Sequence, residues 1–507
     1  MKKKLSVVLG LGILLSIFSI PSVSTAQDEG EEERTIDDEI VYNILVDRFN
    51  NGRQASSEQV DVDDPYTYNG GDIQGITDRL EEIDEAGFTS ISISPIMENK
   101  EASYHGYLVE DYFSVEEEFG DMDDLQKLIE EAHDKDIQVI LELDLHYVAE
   151  TNPLVEEESS WFKEVDAESV SATEWLDDAA AFDDSKKEVQ DYLGKVADFW
   201  MDETDIDGFN IHAAEQMDKD FLSMITSEWK KSNPEFYVLA TALDQKEEID
   251  DLATIDTIDA VSNVDMFEAF NDTLTKPDEP ISDLYETWES GNNKKGLLYV
   301  DTITTARFSN NFADNGRNAE TTWDLALAYL YFTPGVPMIY QGSEVPTYGP
   351  GYPENQYLVD FTSSNPDLED QFSKMASVRK EFAPLRKGDF ELLGSDKGFS
   401  LFKRSYEGED VYVAINNDDE SRAVDIDGLG EDVQLKGLLQ DDTIRQRENG
   451  KLSIGLERES QEVYIVEKDQ GLNWIFIGFV LGVLFLFVFF VIGLKVKQRK
   501  REKQMKK

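Results

Sequence analysis

The side chains best suited to chemistry follow runs of apolar residues that are typical of buried strands. Glu142 and Asp144 close one such run, His212 closes another, and Asp244 comes shortly after a third. Two carboxyl groups that flank one bond can hydrolyse a glycosidic linkage, and an imidazole can act as a nucleophile. These groups could act together only if the fold brings the ends of separate strands to one place.

Alternating strand-like and helix-like segments predict that convergence. Eight short apolar runs are separated by longer stretches, and residues 122–134 show a helical pattern with apolar residues on one face. This order predicts an α/β fold, a (β/α)8 TIM barrel over residues 38–387, with functional side chains at the C-terminal ends of its strands. The predicted strands are 40–47, 90–95, 138–144, 208–212, 236–241, 260–264, 297–302 and 336–342.

Two further regions can be predicted, an insertion within the barrel and a domain that follows it. Residues 148–184 are too long for an ordinary connection, and they predict a small insertion after the third strand. Residues 388–466 consist of short alternating segments separated by Gly, Asp and Asn, which predict a C-terminal antiparallel β-domain, a small sandwich. Residues 467–473 would link this domain to an apolar segment near the C-terminus.

The two ends of the chain predict export and a membrane anchor. Residues 1–26 have the basic start, apolar stretch and small-residue cleavage site of a signal peptide, and an acidic leader follows at 27–37. Residues 474–494 are uncharged and long enough to form one transmembrane helix. The basic tail at 495–507 predicts a cytoplasmic C-terminus, so the large domain would face outward from the cell membrane.

Composition narrows the classes of partner. The 507 residues include 46 Lys and Arg against 107 Asp and Glu, which gives a net charge of −61. A surface this acidic repels nucleic acid and anionic lipid, so we expect no nucleic-acid partner. The absence of cysteine excludes disulfides and thiolate metal sites.

Several short motifs, in this order and at these separations, resemble the α-amylase family, glycoside hydrolase family 13. The resemblance runs from about residue 38 to 466, and it implies a starch-type saccharide as substrate or ligand. The segments that carry it are DRF at 47–49, GGDIQGI at 70–76, YHGY at 104–107, PGVP at 334–337 and YQGSE at 340–344.

The catalytic positions of that family are altered in this chain. The resemblance places the nucleophilic carboxylate at His212, the acid/base carboxylate at Thr241 and the third carboxylate at Thr304. A retaining glycosidase needs one carboxylate to attack the sugar and one carboxylic acid to protonate the leaving oxygen. A shift of one residue restores none of them, because the neighbours of His212 and Thr241 are not acidic. We therefore predict a protein without amylase-type hydrolysis, a pseudoenzyme.

Other side chains of the barrel rim could still bind a ligand. The residues that could line a saccharide cleft are Tyr104, His105, Tyr107, Tyr147 and Arg307. The family resemblance implies calcium, but its usual ligand positions are altered, since an expected Asn is His146. Calcium could also bind in a loop near Asn51 and Asp72, but the positive charge of Arg53 in that loop argues against it. Zinc held by His105, His146 and His212 is an alternative to plain packing, although their spacing is not a metal signature.

Three functional hypotheses follow from the sequence. The first is a cell-surface pseudoenzyme of carbohydrate metabolism that binds α-glucan. The second is an ectodomain that assists a membrane protein partner. The third is an active hydrolase that uses unconventional groups such as Glu142, Asp144 or Asp244. Glucan binding separates the first hypothesis from the second, and turnover separates the third from both.

Overall fold

A computed structural model describes most of the chain between its two ends. The described residues are 34–53, 60–163, 165, 174–243, 249–430, 432–446, 451–469 and 474–505. The predicted signal peptide, residues 27–33 of the acidic leader, Asp244 and residues 470–473 of the predicted linker lie outside them.

Eight parallel strands among the described residues form the central sheet. These strands are β1 (Val41–Ile44), β2 (Ser90–Ile93), β3 (Gln138–Asp144), β4 (Gly208–His212), β5 (Tyr237–Ala240), β6 (Ala260–Val261), β7 (Leu297–Leu298) and β8 (Val336–Tyr340). Their order is β6-β5-β4-β3-β2-β1-β8-β7. The strands are almost entirely buried, which explains why they read as near-continuous apolar runs.

One parallel bridge closes this sheet. It joins Ser262 to Leu297, and the amide of Asn263 donates to the Leu297 carbonyl at 3.1 Å. The two outer strands, β6 and β7, therefore meet, and the predicted (β/α)8 barrel is confirmed.

Most of the described helices surround the barrel and pack their apolar faces on its strands. The α-helices are α1 (Ile73–Thr77), α2 (Leu80–Glu85), α3 (Met122–His133), α4 (Pro153–Glu157), α5 (Lys187–Glu203), α6 (Lys219–Ser232), α7 (Val264–Leu274), α8 (Ile281–Ser290), α9 (Phe308–Asp314), α10 (Ala319–Phe332), α11 (Pro366–Glu381), α12 (Ala383–Lys387) and α13 (Trp474–Met505). Helices α4 and α13 do not pack on the strands in this way. Helix α3 begins at a capping box between Asp121 and Asp124.

Strands β6 and β7 are shorter than the predicted 260–264 and 297–302. After β6, the Asn263 side chain accepts from the Met266 amide and starts α7, so the chain leaves the sheet. Beyond β7, the Thr302 amide donates to the Thr305 hydroxyl at 2.8 Å, within a turn. Polar side chains that compete for backbone hydrogen bonds end a strand without disturbing its apolar pattern.

The segment between β3 and β4 forms a small subdomain. Its three-stranded sheet consists of Tyr147–Ala149, Ala179–Phe182 and Phe162–Lys163, in that spatial order. A short helical turn at Glu174–Asp178 precedes the middle strand of that sheet and carries Trp175. This turn therefore lies in the connection that starts at the C-terminal end of β3.

The C-terminal part is an antiparallel β-domain, as predicted. Its strands are β9 (Asp389–Asp396), β10 (Phe399–Tyr406), β11 (Glu409–Asn416), β12 (Arg422–Ile426), β13 (Val433–Gly437), β14 (Thr443–Arg445), β15 (Leu452–Leu456) and β16 (Ser460–Lys468). Six of them form one sheet in the order β9-β10-β11-β16-β13-β14, and β12 pairs with β15. Helix α10 is buried on nearly all sides because it lies between the barrel and this domain.

A helix that could cross a membrane comes after the β-domain. Within α13, residues Gly478–Arg499 have a mean hydropathy of 2.8, and no residue of their most apolar stretch is buried in the rest of the protein. Their length suffices for the hydrocarbon core of a bilayer.

Arg404 joins the β-domain to the barrel. Its guanidinium is fully buried and donates to the carbonyls of Phe332 and Leu385 at 2.8 and 2.9 Å. It also donates to the carbonyls of Gly388 and Asp389 at 3.0 and 3.3 Å. One side chain thus satisfies buried carbonyl groups at the ends of two helices and at the start of β9.

We predict that Arg404→Met destabilises the protein by at least about 3 kcal/mol, because it leaves several buried acceptors without donors. Urea denaturation of the detergent-solubilised protein measures this loss. Lys403→Met is the matched control, since Lys403 is only partly buried and forms a surface ion pair with Glu391 at 3.2 Å. The loss of unfolding free energy in this control should stay below about 1 kcal/mol. Equal losses in the two variants would contradict the role of Arg404.

Candidate functional site

His212, Thr241 and Thr304 converge at the C-terminal mouth of the barrel. His212 ends β4, Thr241 directly follows β5, and Thr304 lies in the turn after β7. All three line one cavity together with Tyr107 and Glu142. Among the described residues that line this mouth cavity, Glu142 is the one carboxylate.

The mouth cavity is too small for a sugar ring. Its volume is about 30 Å³. A water molecule takes up about 30 Å³ of the liquid, whereas pockets for small organic ligands measure roughly 300–1,000 Å³. In the described structure the mouth cavity has room for water but not for a sugar ring.

The mouth is filled by an ion pair and its hydrogen-bond partners. His212 Nδ1 lies 3.0 Å from Glu142 Oε1, and the Tyr107 hydroxyl donates to the same oxygen at 2.8 Å. Asn210 Nδ2 lies 3.5 Å from Glu142 Oε2, and the Thr241 hydroxyl donates to Asn210 Oδ1 at 3.1 Å. Most of these polar groups therefore bind one another, although His212 Nε2 is buried without a hydrogen-bond partner.

Burial and neighbouring charges set the protonation of these groups. Burial alone would lower the pKa of His212, but the hydrogen bond and charge of Glu142 outweigh it and raise that pKa. Burial raises the pKa of Asp144 to about 7, although the charge of His212 opposes this. Burial lowers the pKa of both His105 and His146 to about 3, so these two imidazoles are neutral at neutral pH.

An indole from the subdomain covers this network. The Trp175 ring stacks on Tyr107, with ring centroids 5.2 Å apart, and lies 5.1 Å from the ring of His105. Tyr107 in turn stacks on His212 at 4.1 Å. Trp175 is itself 7% exposed, so the group of rings is closed to solvent.

The five proposed saccharide contacts are buried against other protein groups. Tyr104, His105, Tyr107, Tyr147 and Arg307 are each between 1% and 4% exposed. The Tyr104 hydroxyl donates to Gln356 Oε1 at 2.8 Å. The Arg307 guanidinium lies 3.4 Å from Asp301, and it donates to the Gln341 carbonyl at 2.7 Å. A sugar could reach these groups only after a rearrangement.

The predicted calcium positions do not offer a suitable set of donors. The Asp72 carboxylate already accepts from the amides of Gly52, Arg53 and Gly75 at 3.1, 2.9 and 2.6 Å. Amide groups that point their positive ends at a carboxylate oppose a bound cation. Asn51 is only half-buried beside this loop.

His146 does not supply a metal ligand set either. Its imidazole is neutral at neutral pH and could bind a metal, but among the described residues it belongs to no group of three close metal-binding side chains. The described residues contain one group of three close metal-binding side chains, formed by Asp278, Asp418 and Asp419 on the β-domain side. Asp418 is already paired with Arg422, at 2.8 Å, and no histidine belongs to that group. The three histidines considered for zinc therefore do not form a metal site.

Three exposed tyrosines belong to two loops near the mouth. Tyr66, Tyr348 and Tyr357 are 50%, 50% and 45% exposed. Tyr66 lies in the connection after β1, and it contacts Tyr352 of the connection after β8 edge-to-face at 6.2 Å. Gln356 of the latter connection donates to the carbonyl of Ile303, a residue of the mouth cavity, at 2.6 Å. We call Tyr66, Tyr348 and Tyr357 the rim tyrosines.

Sequence reasoning missed Trp175 and the rim tyrosines, and it did not pair Glu142 with His212. The signal for the pair was present, because both residues lie at the C-terminal ends of neighbouring strands, where Asp144 is the partner of His212 in the β3–β4 register. No local pattern distinguishes Trp175 from other aromatic residues of the subdomain.

Models of two protein domains match this chain. Residues 43–177 match the α-amylase catalytic domain, and residues 388–464 match the α-amylase C-terminal domain. The β/α-amylase of Paenibacillus polymyxa is 26% identical over 84% of this chain, which spans 37% of that relative's length.

Two solved structures are similar to this chain over their own full length. An Anoxybacillus α-amylase is 34% identical, with a TM-score of 0.81 over 87% of this chain and 100% of its own. The α-amylase of Geobacillus thermoleovorans, solved in complex with acarbose, is 32% identical, with a TM-score of 0.80 over 86% of this chain and 100% of its own.

We predict that the His212–Glu142 pair stabilises the fold most at acidic pH. A histidine with a raised folded-state pKa contributes fully below its unfolded pKa of about 6.5, and the contribution is lost as pH rises through the folded-state value. His212→Gln should therefore cost about 3–5 kcal/mol near pH 6, because it leaves Glu142 buried without a counter-charge. The cost should shrink by pH 9, and urea denaturation at both pH values measures it.

His133→Gln is the matched control, since His133 forms a half-exposed ion pair with Asp207 at 2.8 Å. Its loss should be below about 1 kcal/mol at both pH values. A cost of His212→Gln that grows with pH would contradict the assignment.

Proposed function

The chain belongs to the α-amylase family, and we propose that it is a member that binds α-glucan without hydrolysing it. The observation that carries this proposal is the mouth cavity of about 30 Å³, lined by His212, Thr241 and Thr304 where catalytic carboxylates would be needed. Retaining hydrolysis requires a sugar between two carboxyl groups about 5–5.5 Å apart.

Loss of these groups has a large expected effect on rate. In other hydrolases, removal of one central catalytic residue costs on the order of 10⁴–10⁶ in rate. A threonine hydroxyl cannot replace a carboxylic acid as proton donor at neutral pH. Glu142 is held by His212 and Tyr107, which argues against the alternative of an unconventional hydrolase built on this carboxylate.

The rim tyrosines supply the surface for binding. An exposed phenol ring offers an apolar face for a pyranose and a hydroxyl for hydrogen bonding, and neither contact requires a reaction. Tyr66 and Tyr348 are each 50% exposed on the connections that follow β1 and β8, so their rings are accessible to a glucan chain. The acarbose complex of the Geobacillus thermoleovorans relative supports a saccharide as the ligand class.

The ends of the chain favour display at the cell surface. A signal peptide at 1–26, the apolar helix Gly478–Arg499 and the basic tail at 495–507 would hold the barrel outside the cell membrane. Assistance to a membrane protein partner stays a prediction, tested by isolation of the intact protein from membranes in detergent.

We predict that the full-length protein in detergent releases no reducing sugar from starch, maltodextrin, pullulan or trehalose. The variant His212→Asp, Thr241→Glu, Thr304→Asp should also be inactive, because its mouth remains too small for a sugar ring. The Geobacillus thermoleovorans α-amylase serves as the active control. Turnover by the unmodified protein that disappears in Glu142→Gln would contradict the proposal and identify Glu142 as a catalytic group.

We predict that the double variant Tyr66→Ala, Tyr357→Ala weakens binding of maltoheptaose by on the order of tenfold, since it removes two exposed rings. Isothermal titration of the detergent-solubilised protein measures the affinity. Phe113→Ala is the matched control, because Phe113 is 38% exposed and packs on Tyr192 and Phe199 of α5 instead of the rim. Equal affinities of the rim variant and the control for maltoheptaose would rule out the rim tyrosines as the glucan-binding surface.

A further inference from the structure

A second and much larger cavity lies on the flank of the barrel, between helices α2 and α11. Its volume is about 480 Å³, within the range of pockets that hold small organic ligands. It is lined by side chains of β1, α2 and α11 and by the segments that come after β1 and β8. We call it the flank cavity, and none of its residues lines the mouth cavity.

Aromatic rings form the walls of the flank cavity. Tyr42 and Phe88 stack with their centroids 4.3 Å apart, and Phe49 meets Phe361 edge-on at 5.2 Å. Tyr42 and Phe49 also contact each other, at 5.9 Å, so the four rings form one continuous wall. Such a wall is suited to a hydrocarbon body or to the face-on approach of a cation.

A buried carboxyl group with one unused oxygen lies in this wall. Glu344 is 9% exposed, and its Oε1 accepts from the Tyr42 hydroxyl at 2.5 Å. Its Oε2 is buried and has no hydrogen-bond partner. Burial raises the pKa of Glu344, although the hydrogen bond from Tyr42, nearby backbone amides and the charge of Arg307 oppose this. An acceptor in this position costs free energy unless a donor arrives.

The mouth of the flank cavity is acidic. Four exposed carboxylates face one guanidinium there; the acids are Glu82, Glu85, Glu369 and Asp370. The guanidinium of Arg79 is already held, 3.0 Å from Glu82 and 4.3 Å above the Phe361 ring. The entrance of the flank cavity therefore attracts cations and repels anions.

We propose that the flank cavity binds an organic ammonium ion, best an aliphatic diamine with one ammonium group at Glu344 Oε2 and the other at the acidic mouth. An ammonium N–H supplies the missing donor, and the hydrocarbon chain covers the aromatic wall. A hydrated metal ion would leave that wall uncovered, and a carboxylic or phosphate ligand would meet Glu344. The proposal is independent of glucan binding at the rim.

Cadaverine, n-pentylamine and pentanediol are the probes, titrated calorimetrically into the full-length protein in neutral detergent. The expected result is saturable binding of cadaverine, weaker binding of n-pentylamine and none of pentanediol. Glu344→Gln should weaken cadaverine binding by on the order of 10- to 100-fold, the usual effect of losing a hydrogen bond to a charged group.

An exposed pair of substitutions keeps the test valid if Glu344→Gln does not fold. Glu369→Gln with Asp370→Asn should weaken cadaverine binding several-fold. Glu130→Gln with Glu131→Gln removes the same charge from the exposed face of α3 and should change nothing. Absent cadaverine binding, pentanediol binding as strong as that of cadaverine, or equal losses in the two paired variants would each overturn the proposal.

Discussion

The mouth of the barrel depends on one constraint, which is that charges buried at the ends of neighbouring strands must be paired. Strands β3 and β4 bring Glu142 and His212 to within 3.0 Å of each other, away from solvent. Loss of either partner would leave an uncompensated charge, at a cost of about 3–5 kcal/mol. Tyr107 binds the same carboxylate and supports Trp175, so the closed shape of the whole site follows from this pair.

Other contacts that stabilise the barrel lie away from the mouth. Arg404 of the β-domain donates to four carbonyl groups, and α10 fills the space between the barrel and the β-domain. None of these contacts involves the mouth. In barrels of this kind, the strand ends that carry chemistry are separate from the surfaces that carry stability. The family frame is kept, at 34% identity to an α-amylase, while His212, Thr241 and Thr304 line the mouth cavity.

The sequence predicted the architecture well, because apolar runs and helical periodicity are local signals. Strand β3 matches its predicted bounds, whereas β7 ends at Leu298 instead of the predicted residue 302. The site was predictable only in part. The convergence of His212 and Thr241 follows from barrel topology, whereas the cover by Trp175 depends on packing between distant segments. The orphaned oxygen of Glu344 is likewise a product of tertiary packing that no local pattern reveals.

The barrel mouth is closed, whereas the rim tyrosines are exposed. Saccharide binding and saccharide hydrolysis therefore have different structural requirements in this protein. Stacking on Tyr66 needs only an accessible ring, but hydrolysis needs a sugar enclosed among charged groups. Carboxylates placed at positions 212, 241 and 304 would join Glu142 and Asp144 in a space with little water. Their mutual repulsion, together with the loss of the His212 charge, would favour protonated carboxyls over a working nucleophile. Under the proposal that the chain does not hydrolyse glucan, Trp175 would therefore have to leave the mouth before any catalytic carboxylate placed there could become effective.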